Sequence, residues 1–154
     1  MELWQLREEY QKAVDSELIA QKIWEASQRY AGDKAIIHAY GAASRALLSN
    51  HSWNPLEKLK MIKESMKLFR RAVRMDSLNP EIRFLRFSIQ VALPGYLKMA
   101  DEVEEDKKMI LDQLPNFAQF GLEKYHLEPI IDFIKRSDHF RQKERNLLLA
   151  QIEN

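Results

Sequence analysis

The stretch Ala72-Val73-Arg74-Met75-Asp76-Ser77-Leu78-Asn79-Pro80-Glu81 decides the fold class. It closes one helix near Asp76 and opens another at Asn79, an N-cap residue followed by proline at the first helical position. Asn54-Pro55-Leu56-Glu57 repeats this start signal upstream, with an acidic residue in the first turn. Between the two signals, Leu59, Ile62, Met66, Phe69 and Val73 recur at spacings of three and four, so residues 55–76 read as one amphipathic helix.

Working toward the N-terminus, Leu3, Leu6, Tyr10, Ala13 and Val14 mark a first helix that ends near Val14. Asp15 is the expected N-cap of a second, with Val14 and Ile19 as its hydrophobic staple and Gly32 as its stop. Asp33 is then expected to cap a third helix over 34–49. Downstream of Asn79, the fifth helix runs to Leu93-Pro94-Gly95 and a sixth spans about 96–114. Short helices follow over 116–125 and 127–136, and Ser137 or Asp138 caps a last one reaching Ile152. No segment alternates with period two. The fold class is all-α: about eight or nine helices in an antiparallel helix-pair stack. A single domain over 1–154 is expected, with regular pairs over about 15–114 and a less regular part over 115–154.

Composition agrees. Only 4 Gly and 5 Pro in 154 residues leave few sites for the positive-φ turns of a β protein. Hydrophobic content of 45% suffices for a core. A net charge of +1 nominates neither nucleic acid nor membrane as a partner, and zero cysteines remove disulfides, thiolate catalysis and sulfur-ligated zinc. No apolar run approaches the ~20 residues of a membrane span. No apolar leader follows Met1, so the expected compartment is the cytoplasm, although a mature periplasmic form would read the same.

Around Ser65, Phe69, Ala72, Met75 and Asp76 the chain resembles the second helix of a tetratricopeptide repeat, and Asn79-Pro80-Glu81-Ile82 resembles the start of the next repeat. Tyr40-Gly41 resembles the Leu-Gly of a first helix. Roughly 12 extra residues between Ser49 and Lys60 lengthen the unit beyond a regular repeat. The resemblance implies paired-helix packing. Tyr40-Gly41-Ala42-Ala43, Trp53-Asn54-Pro55, Lys58-Leu59-Lys60 and Ile82-Arg83-Phe84-Leu85-Arg86 are similar to a group of Bacteroidetes helical proteins, a likeness that supports the fold and brings no activity.

Candidate binding residues come from two helices. In the fifth, Ile82, Leu85, Ile89, Ala92 and Leu93 cover one arc and Phe84, Phe87 and Val91 another. Arg83, Arg86 and Gln90 share the polar stripe left over, within about 60° of the wheel. Two guanidiniums and an amide on one line can grip a carboxylate or phosphate. The structural alternative pairs them with acids of a neighbouring helix. In the third helix Lys34, His38 and Arg45 share a face with Ser49. If these are inner helices of consecutive pairs, Lys34, His38, Arg45, Arg83, Arg86 and Gln90 line a basic concave groove. The expected partner is a protein or peptide bearing acidic or carboxylate groups.

Lys60, Lys63, Lys67, Arg70, Arg71 and Arg74 give the fourth helix a basic face, but no aromatic residue interleaves with it to stack on bases. The acids of 101–112 are expected to neutralise it from the sixth helix. The four histidines show no zinc spacing, and Glu123-x-x-His126 lacks the second copy a di-iron bundle needs. No catalytic residue, metal or cofactor is assigned. The leading expectation is a non-enzymatic binding or scaffold module. The alternative is a small-molecule or anion-binding protein, or an enzyme, with its pocket at Arg83 and Arg86. A weaker alternative is an RNA-binding protein using the fourth helix.

Overall fold

A computed structural model describes residues 1–153, all of them helix, turn or loop. Eight α-helices occur among the described residues: α1 (Leu3–Ala13), α2 (Glu17–Tyr30), α3 (Ala35–Ser49), α4 (Pro55–Met75), α5 (Pro80–Ala92), α6 (Val103–Gln113), α7 (Glu128–Arg136) and α8 (Gln142–Glu153). The fold is all-α.

The two Asn-Pro signals act as read. The Asn54 side chain accepts from the N–H groups of Leu56 and Glu57, and that of Asn79 from Glu81 and Ile82. Other boundaries differ from expectation. Ser16, not Asp15, caps α2 by accepting from Ile19 N–H at 3.3 Å. The N-cap position of α3 falls to Lys34 rather than Asp33, with no capping side chain. The helix expected over 96–114 begins only at Val103. Pro94 ends the preceding helix, and a 3-10 turn at Gly95–Leu97 closed by Lys98 at φ 53°, a left-handed conformation outside any α-helix, occupies the interval. Residues 114–120 form a 3-10 segment kinked at Asn116, and a second 3-10 turn at Lys124–Leu127 leads into α7. The last helix starts at Gln142, beyond Ser137 and Asp138.

Consecutive helices pack from α1 through α4, α3 also touches α1 and α5, and α6 lies against α5. The first helices of three successive pairs, α1, α3 and α5, thus form an inner layer. Two clusters of buried side chains fill the interior. One joins α1 to α5, and the other joins α5 to α6, α7 and α8. Helix α5 belongs to both: Ile82, Leu85 and Ile89 face the first, whereas Phe87 faces the second and packs 5.4 Å from Phe140. This is the structural meaning of its two apolar arcs.

The α2–α3 contact is close at Gly41. A Cβ there would fall on Ser27 Oγ and 2.6 Å from Ser27 Cβ, so the helices meet only because Gly41 has no side chain. Gly41→Ala should therefore destabilise the fold by about 1–3 kcal/mol in urea titration. Adding Ser27→Gly should recover part of the loss.

Candidate functional site

Arg83, Arg86 and Gln90 do lie on one line of α5, but α6 covers them. Asp106 is fully buried (0% exposed), between Arg83 at 3% and Arg86 at 2%. Arg86 donates from Nε to Asp106 Oδ2 and from Nη2 to Oδ1, both at 2.7 Å. Arg83 Nη1 reaches Asp106 Oδ1 at 3.1 Å and Glu105 Oε1 at 3.0 Å, while its Nε and Nη2 donate to the Ser77 carbonyl. Gln90 donates to Glu102 Oε2 at 2.6 Å. Burial pushes the Asp106 carboxyl above its ordinary value, and the two guanidiniums pull against that shift. For Glu102, burial also works upward, but the Gln90 hydrogen bond with Arg86 and Arg70 carries its carboxyl below the usual range.

The residues of α3 go elsewhere. Lys34 is exposed, and His38 Nε2 lies 2.8 Å from the Gly32 carbonyl. Arg45 bonds Glu64 of α4 at 2.8 Å and stacks 4.8 Å from the Trp24 ring centroid of α2. The six side chains therefore do not converge. In place of a basic groove, Lys34 faces solvent, the other five make separate internal contacts, and none of the six lines either of the two cavities described below. The expected neutralisation of α4 by acids of 101–112 is also local: Arg70 meets Glu102 at 3.4 Å, whereas Glu105 and Asp106 turn to α5. The rest of the α4 basic face stays exposed, as polar faces of amphipathic helices ordinarily do.

The arrangement with the properties of a site lies on the inner layer. A cavity of about 470 Å³ opens between α1, α5 and the segment leading into α7. Leu85, Phe84, Pro129 and Ile130 form apolar wall, and Trp4 and Tyr125, 58% and 61% exposed, stand at its mouth. Its polar end is a buried network. Glu81, in the first turn of α5 where the helix dipole favours an anion, takes Arg7 Nε at 2.8 Å and Nη2 at 2.7 Å. Tyr40 donates its hydroxyl to Glu81 Oε2 at 2.7 Å. Burial and the adjacent Glu81 raise the Tyr40 hydroxyl well above its ordinary value, and burial alone raises that of Tyr10, whose ring meets Tyr40 edge-on at 5.4 Å. Hydrogen bonding and charge from Glu81 outweigh burial at Arg7 and hold its guanidinium more firmly protonated.

His126 completes this end. Its Nδ1 accepts the Glu123 backbone N–H at 2.9 Å, and its Nε2 stands 3.5 Å from Arg7 Nη1. The Glu123-x-x-His126 spacing is thus a local capping arrangement in a 3-10 turn. Burial and the Arg7 charge push the imidazole below its usual value and favour the neutral ring. Among the described residues, no group of three or more His, Asp or Glu side chains could hold a metal ion, and no helix is long and apolar enough to cross a membrane.

Comparison with protein-family models, curated proteins and solved structures finds no match for this chain. The site therefore rests on its own geometry. Sequence reasoning missed Arg7, Tyr40, Glu81 and His126 as a set. One signal was present: Arg7 sits between Trp4 and Tyr10 at spacings of three, a charge placed among the large side chains of an amphipathic helix. Tyr40→Phe would leave Glu81 Oε2 to Arg7 alone, so it should cost about 1 kcal/mol in equilibrium unfolding. An unchanged midpoint would mean that the Tyr40 bond contributes nothing.

Proposed function

We propose that this protein is a non-catalytic binding module that takes a small, largely apolar organic ligand in the cavity between α1, α5 and α7. The carrying observation is an open, mainly apolar cavity of about 470 Å³ with a few convergent polar groups at one end. That size and lining are typical of ligand sites. A binding role fits the polar groups better than catalysis does. Both Glu81 oxygens are occupied, the Tyr40 proton is committed to Glu81, and the His126 Nδ1 lone pair is used by a backbone N–H. Within the Arg7, Tyr40, Glu81 and His126 network no group is left as a free base or nucleophile.

A second reading, a protein partner, has its own observation. A cavity of about 440 Å³ lies at the opposite end of the α3–α4–α5 layer, lined by Leu47, Leu59, Ile62, Ile89 and Leu93. Leu56 and Tyr96 line it too and are strongly exposed, and Trp53, just ahead of the Asn54 cap, is 91% exposed. Large apolar side chains held in water suit the anchor residues of a protein surface.

The ligand reading is tested by two-dimensional amide NMR with ethylbenzene as probe. Saturable shifts should centre on Trp4, Leu85 and Ile130. Trp4→Ala should weaken binding roughly tenfold, because it removes one side of the mouth, and should leave the melting temperature unchanged. Shifts that are absent, or scattered without saturation, would overturn it.

A further inference from the structure

The polar end of the same cavity presents donors with nothing to receive them. Arg7 spends Nε and Nη2 on the Glu81 carboxylate, which leaves the two N–H groups of Nη1. The His126 Nδ1 lone pair is taken by the Glu123 backbone N–H, so the neutral ring carries its proton on Nε2. That Nε2–H stands 3.5 Å from Arg7 Nη1. Two N–H donors therefore face each other, and no acceptor joins them among the described residues.

Building on the pocket reading above, we propose that the ligand places a neutral carbonyl oxygen between Arg7 Nη1 and His126 Nε2. Its aromatic or branched apolar body then lies against Leu85 and Ile130. A carbonyl oxygen has two lone pairs and can accept from both donors at once, which removes the mismatch between them. The charges of the lining select neutrality. Arg7 is the one permanent cation among the lining residues; it is bound by the Glu81 carboxylate, and Glu8 adds a second acid to the lining. An entering carboxylate would meet both acids, with the Arg7 charge already engaged by Glu81. An entering ammonium would meet the donor edge of Arg7 and His126. A neutral acceptor meets two donors and no like charge.

The test compares three probes of similar shape on the intact chain by amide NMR titration: acetophenone, ethylbenzene and benzoate. Acetophenone should bind about tenfold more tightly than ethylbenzene, the worth of well-placed hydrogen bonds, and more tightly than benzoate. His126→Phe keeps a ring and removes the Nε2–H donor. It should bring acetophenone toward the ethylbenzene value while leaving ethylbenzene binding unchanged, a selective effect that the small loss of stability from removing the Glu123 N–H acceptor would not produce. Equal wild-type binding of acetophenone and ethylbenzene would overturn the carbonyl assignment and leave the cavity as a binding site. Preference for benzoate would overturn the neutrality argument. Failure of all three probes to bind would overturn the carbonyl assignment together with the pocket reading.

Discussion

The burial of Asp106 between Arg83 and Arg86 is the constraint on which the rest of this structure depends. Helix α5 serves two cores and, short of its last residue, is buried on all but a half-buried edge at Phe84, Ser88 and Val91, yet it carries two guanidiniums on its buried side. Such groups can enter an interior only with charge and hydrogen-bond partners in place. Helix α6 supplies them through Asp106 and Glu105, and the Ser77 carbonyl satisfies the remaining edge of Arg83. The pairing therefore fixes where α6 can lie on α5. Since α6 brings Ile110 into the second core, it also places the surface on which the C-terminal helices assemble.

The same logic separates the two arginine clusters. At Arg83 all three guanidinium nitrogens end on internal acceptors, and Arg86 holds Asp106 through Nε and Nη2, with both side chains almost wholly buried. At Arg7, two of three nitrogens are satisfied by Glu81 and the third faces an open cavity beside His126. Both clusters contain a buried or half-buried guanidinium bound bidentately by a carboxylate, so residue type alone does not distinguish them. The difference lies in which neighbouring element seals the space. Helix α6 seals the first, whereas the 3-10 turn at Lys124–Leu127 stops short of the second and leaves it accessible.

Local chemistry made much of the fold legible in the sequence. Asn54-Pro55 and Asn79-Pro80 each act within three residues, so their caps follow from short-range stereochemistry. The double apolar arc of α5 likewise foretold a helix buried on nearly all sides. Boundaries set by tertiary packing were harder to read. The stretch 96–102 has helical spacing but follows Pro94-Gly95, and the chain turns there instead of continuing a helix. The candidate site was the least legible part. Arg7 and Glu81 are 74 residues apart, and His126 is 119 from Arg7, so no periodicity links them. The stripe of Arg83, Arg86 and Gln90 stood out because a helix wheel displays charges within one element. It cannot display the acids of α6 that cancel them.

The central claim is that the α5 arginines are internal cations matched to Asp106 and not a surface kept for a partner. A double-mutant cycle in equilibrium unfolding tests it most directly, using Arg86→Met, Asp106→Leu and the combination. Arg86→Met leaves Asp106 to Arg83 alone, and Asp106→Leu takes the shared acceptor from both guanidiniums, so each should cost about 3–5 kcal/mol. The double variant removes the Arg86–Asp106 pair, leaves Arg83 to Glu105 and the Ser77 carbonyl, and should lose well under the sum of the two. Wild-type stability in Arg86→Met, or strictly additive losses in the double variant, would contradict the account.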